Sequence, residues 1–171
     1  MIFVKNWNAF PEETLYDCTD SLIYLVKQDR KALLYALSYL QDQPEWVRHA
    51  LQVSAYLADM MVLRDPHSPQ LREAVAGALL HTMGKPLLMS EQLPSLKTNM
   101  TPQQKAILRG HVEKLLEKIH ALGWEPSPEC RDIIENANEL LDGSGYPAGK
   151  TARELSETAK TVSVIKAINK Y

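Results

Sequence analysis

Four prolines set the terms on which this chain can fold. Pro11, Pro44, Pro102 and Pro128 each head a segment whose apolar residues recur at helical spacing. Proline is tolerated at the first helical position, where its missing N–H has no partner to lose and its fixed φ already suits the helix. Thr101 has Gln104 three residues on and Thr151 has Glu154, both with capping-box spacing, while Ser127 before Pro128 is a plain N-cap. These signals predict helices over 11–28, 29–41, 44–63, 69–83, 102–122, 128–141 and 156–170. No segment alternates β-branched residues with period two, so no sheet is expected. The expected class is all-α, a compact bundle of about seven helices. Residues 85–100, which include Pro86 and Pro94, read as a long loop holding at most one short helix.

A chain of 171 residues suits a single domain over 1–171 with a core of its own. The formal net charge of -2 gives no footprint for a nucleic-acid polymer or an anionic membrane, although a small anion needs only a local basic pocket. Cys18 and Cys130 are far apart and in no metal-ligand spacing, so neither a disulfide framework nor a cysteine metal site is expected. The first residues lack the charged start and apolar stretch of a signal peptide. No run of about 18 apolar residues offers a membrane span. The expected setting is the cytoplasm.

The histidines carry the chemistry. Trp46, Ala50, Val53, Leu57 and Met61 form one helical stripe, with His49 beside it and Glu45 one turn earlier on the same face. Leu108, Val112, Leu115, Ile119 and Leu122 form another, with His111 on its flank. His81 ends the run from Ala74 to Leu80, which must be deeply buried. Three imidazoles and a carboxylate suit a single transition metal such as iron, manganese, nickel or zinc. The alternative is that each ring binds a backbone carbonyl and fills space, and no close ligand pair of the HExxH kind decides between the two. His67, in a turn, and His120, away from the stripe, read as exposed.

The segment from Gly77 to Lys85, GALLHTMGK, resembles the LLHDIGK motif of HD-domain phosphohydrolases. Further on, Glu139 to Pro147, ELLDGSGYP, is similar to the HHExxDGxGYP motif of the HD-GYP subfamily. His111 falls where that family places its next histidine, and His49 with Glu45 matches its first ligand histidine and the glutamate before it. The resemblance covers roughly 14–171, and family members continue through further helices. It implies an all-α bundle, a centre of two or three metals, often iron, and hydrolysis of cyclic di-GMP in bacterial signalling. Two metals about 3.5–4 Å apart generate a hydroxide and neutralise the developing charge on the phosphodiester. The aspartate of the HD pair bridges them.

Several positions depart from that pattern. The bridging aspartate is Thr82, the paired histidines are Ala137 and Asn138, and the family's late aspartate aligns with Lys166. A neutral hydroxyl cannot bridge two cations, and alanine coordinates nothing. The retained candidates are Glu45, His49, His81 and His111. An ammonium at Lys166 is expected to sit where metal charge once stood, pairing with Glu45 or hydrogen-bonding the remaining histidines. Lys85 aligns with the family's site lysine, fit either to attract a phosphate or to cover a helix end. The loop of Asp142, Gly143, Gly145, Tyr146 and Pro147 reads mainly as turn chemistry. The expected function is a non-catalytic HD-GYP-like module with no cofactor, acting through a protein partner in a signalling pathway or through binding of a cyclic dinucleotide. The alternative is a phosphohydrolase with one residual metal.

Overall fold

The computed structural model describes residues 6–88 and 99–169. Among them are seven α-helices: α1 (Glu12–Leu37), α2 (Glu45–Arg64), α3 (Leu71–Leu80), α4 (Pro102–Arg109), α5 (His111–Ala121), α6 (Pro128–Asn136) and α7 (Glu157–Asn169). None of the described helices is long and apolar enough to cross a membrane. Single 3-10 turns, Leu40–Asp42 and Lys85–Leu88, follow α1 and α3. The second of these opens the expected loop; residues 89–98 of that loop lie outside the described residues.

The two helices expected over 11–28 and 29–41 run on as α1, broken by a kink at Asp29 (φ −155°, ψ 89°). The Asp29 carboxylate accepts the Ala32 N–H at 3.0 Å, capping the second half as an N-cap residue does. At Thr101 both bonds of the capping box form: the Thr101 hydroxyl accepts from the Gln104 N–H, and the Gln104 side chain accepts from the Thr101 N–H. Ser127 likewise accepts the Cys130 N–H.

Four expectations need correction. The helix foreseen over 102–122 divides at Gly110, whose N–H reaches Ile107 O in a tight turn before α5 restarts. Glycine gains least from helix formation, so the break falls there. The helix foreseen over 128–141 stops at Asn136, because Asn138 and Glu139 accept hydrogen bonds from the chain folding back over them. α3 stops at Leu80 rather than at residue 83; His81 caps it and the Thr82 hydroxyl bonds across to α2. Thr151 and Glu154 close a turn on themselves, and the cap of α7 is Ser156, which accepts the Ala159 N–H.

α3 is the axis of the molecule. Every residue from Ala74 to Leu80 is buried. Leu15, Leu22 and Val26 of α1 join Val75 and Leu79 in one core cluster, together with Leu115 and Ile119 of α5. On the other side, Ala74 and Ala78 meet Val53 and Leu57 of α2, Ile133 of α6, and Val162 and Ile165 of α7. α3 and α6 approach so closely at Gly77 that a Cβ there would lie 2.6 Å from Cys130 O and 2.9 Å from Ile133 Cβ. Ahead of α1, Phe10 stacks on Trp124 with ring centroids 3.9 Å apart. Gly77→Ala is therefore expected to destabilise the fold by about 1–3 kcal/mol, read as a lower urea midpoint with an unchanged denaturant slope.

Candidate functional site

The C-terminal end of α3 delivers two adjacent side chains to one place with different tasks. His81, fully buried, donates its Nδ1–H to Ala78 O, since a carbonyl can only accept. The opposite ring nitrogen, Nε2, is thus a bare acceptor; it is buried and has no hydrogen-bond partner. Thr82, 1% exposed, donates its hydroxyl to Trp46 O at 2.9 Å. The position at which the resemblance places a metal-bridging carboxylate is thus a neutral tie between α3 and α2.

His49, half-buried on α2, faces His81 with ring centroids 5.6 Å apart. His111 enters from α5. Its spacing from α3 is set by Gly84, where a Cβ would lie 1.9 Å from His111 O. Asn138 Nδ2 lies 3.4 Å from His111 Nε2, and the Tyr146 hydroxyl 3.1 Å from it. An amide nitrogen only donates, so His111 Nε2 accepts and the neutral ring carries its proton on Nδ1, which is buried and without a partner. Lys166 of α7 donates to Asn138 Oδ1. One polar chain therefore links Lys166, Asn138, His111 and Tyr146. Arg109 lies over the Tyr146 ring, 5.6 Å from its centroid.

The loop that carries Tyr146 is held from beneath by Glu139. This glutamate is 0% exposed and accepts the backbone N–H groups of Ala148 at 2.7 Å and Lys150 at 3.0 Å. Asp142 accepts both the N–H and the hydroxyl of Ser144, which holds its carboxyl below the usual range. Gly143 (φ 82°) takes a left-handed conformation, and a Cβ on Gly145 would lie 2.4 Å from Leu140 N. Pro147 follows Tyr146 through a cis peptide. The loop's glycines serve backbone geometry, while Tyr146 reaches the site.

The structure thus brings His49, His81, His111, Thr82, Asn138, Lys85 and Lys166 together. It corrects one expectation: Glu45 is exposed in the first turn of α2, where its charge bears on Lys85. Lys166 has among its partners Asn138, a residue that looked in the sequence like a mere loss. Ala137 is buried among Val53, Leu57 and Ile133 as part of the core. His67 and His120 are exposed, the latter paired with Glu125.

Burial governs the electrostatics of the rings. Burial pushes the pKa values of His49 and His111 down to about 3, and that of His81 well below its ordinary value; the charges of Lys85 and Lys166 press the same way. Burial also lowers Lys85, against the pull of Glu45. It raises Tyr146 to about 12, which Arg109 partly opposes. Among the described residues no three His, Cys, Asp or Glu side chains converge as a metal-holding group. The set present, with one exposed carboxylate, two ammonium groups and His111 Nε2 already engaged, does not fit a centre of two metals.

The HD domain family profile matches residues 29–169, and the chain belongs to the HD domain family. The chain superposes on the HDG"Y"P protein from Bdellovibrio bacteriovorus with a TM-score of 0.65 at 22% sequence identity, so the two share a fold. That alignment covers 92% of this chain and 52% of the relative, so the chain spans about half the relative's length. No curated protein matches.

The buried histidines fix a dependence on pH. Their folded pKa values lie below the ordinary 6.5, so the unfolded chain binds protons that the folded chain refuses. Their contribution to stability is complete above about pH 6.5 and declines towards pH 3. The urea midpoint is expected to fall between pH 7.5 and pH 5, before most carboxylates titrate, and His111→Gln is expected to flatten that slope.

Proposed function

We propose that this HD domain is a catalytically degenerate, HD-GYP-like binding module of bacterial signalling, acting through a protein partner rather than by hydrolysing a cyclic dinucleotide. The observation that carries the reading is the Thr82 hydroxyl, buried and committed to Trp46 O at the position the resemblance gives to the bridging aspartate. Two cations a few ångströms apart need an anionic oxygen between them, because each is a strong local charge repelled by the other. A hydroxyl that donates to a backbone carbonyl offers no such charge.

The neighbouring substitutions point the same way. Ala137 contributes a methyl group to the core, and Asn138 spends its amide on His111 and Lys166. Lys166 adds a positive charge where the family would carry a negative one. Each of these changes preserves packing or hydrogen bonding and removes affinity for metal. The fold has been kept while its chemistry has been exchanged.

Purified protein supplied with ferrous or manganous ion and cyclic di-GMP is expected to give no product above a metal-only control, and elemental analysis to find well under one transition-metal ion per chain. Turnover abolished by His81→Ala would overturn the proposal and favour a residual single-metal hydrolase.

A further inference from the structure

We infer that the first half of α1, residues 12–28, is a clasp over α3 that opens as a unit about Asp29 while the rest of the domain stays folded. The device is separate from the histidine cluster and does not depend on what that cluster binds.

The break at Asp29 makes the two halves of α1 independent. One residue with non-helical φ and ψ interrupts the ladder of backbone hydrogen bonds, and the Asp29 carboxylate restarts it by accepting the Ala32 N–H. The halves also lean on different neighbours. Arg30, just after the break, pairs with Asp59 of α2. Among the described residues, the long-range polar ties of the first half go to one turn of α3: Tyr16 donates to Glu73, and Asp20 accepts from Arg72. Asp20 and Arg72 are both about half exposed, and ion pairs in that setting hold little.

The first half has a light footing. It buries a single stripe of Leu15, Thr19, Leu22 and Val26, and leaves Tyr24 and Leu25 in solvent. Thr19 spends its hydroxyl on Leu15 O within the helix, so it makes no tie outward. α3 beneath, by contrast, is buried from Ala74 to Leu80. An element held through one stripe, with the backbone of its outer face in water, belongs to the part of a fold that opens below the cost of global unfolding.

Opening removes one wall from Val75 and Leu79, so the position of residues 12–28 governs how firmly the end of α3, with His81 and Thr82, is held. The chain carries its own reporter of this motion. Cys130 of α6 is 0% exposed and shares one cluster with Leu15, Leu22, Val75 and Leu79. The Glu73 carboxylate acts on both the Tyr16 hydroxyl and the Cys130 thiol, which places that thiol beneath the clasp.

The test is native-state thiol labelling of the full chain carrying Cys18→Ser, which leaves Cys130 as its one thiol. The reagent is DTNB at pH 8, over urea concentrations below the unfolding transition. Cys130 is expected to label at least about tenfold faster than global unfolding allows, and with a shallower urea dependence, because less surface is exposed. Leu22→Ala, on the clasp, is expected to speed labelling without urea by about thirtyfold or more, from the loss of a buried leucine side chain. Tyr16→Phe, a milder change, is expected to speed it by about tenfold, from the loss of a hydrogen bond to a charged group. Leu57→Ala, on the other side of α3, is expected to lower the urea midpoint and leave that rate unchanged. Labelling with the rate and urea dependence of global unfolding, equal acceleration by Tyr16→Phe and Leu57→Ala, or labelling indifferent to Tyr16→Phe would each overturn the inference.

Discussion

A helix with no solvent side governs this molecule. α3 is buried along its length from Ala74 to Leu80 and touched on every flank by α1, α2, α6 and other elements. Such a helix cannot rotate or slide without opening a void, and interiors packed at crystal density resist that. Its last turn is thereby fixed in space. His81 and Thr82 inherit that rigidity, and the tie from Thr82 to Trp46 O joins α3 to the helix that carries His49. The site is precise because the core beneath it is dry and full.

Upon that frame burial and two lysines set the electrostatics of the site. A metal centre gathers carboxylates and basic imidazoles around positive ions. Here the imidazoles are held neutral by burial, and the fixed positive charges belong to the protein. In the Lys166–Asn138–His111 chain the amide turns its oxygen to the ammonium and its nitrogen to the ring.

Much of the fold was legible in the sequence because its signals are local. Prolines, caps and apolar stripes located the helices, and the boundary foreseen between residues 28 and 29 falls on the kink at Asp29. The errors lie where tertiary contacts override local preference. Nothing within a few residues of Asn136 announces that Glu139 will be withdrawn to hold the loop after it. An acidic residue at the end of an otherwise helical run, followed closely by two glycines and a proline, was the available signal. In the site, the three histidines, Thr82 and Lys85 were readable from motif and stripe. The partnership of Asn138 with Lys166 was not, since 28 residues separate them and only the packing of α7 against α2 and α6 brings them within reach.

The break in α1 has a consequence of its own. The family match begins at Asp29, the residue where the helix kinks. Yet Leu15, Leu22 and Val26, all ahead of the kink, are buried with Val75 and Leu79 in the central cluster. The residues that the family profile spans therefore do not close this interior by themselves; the stretch of helix ahead of them seals it.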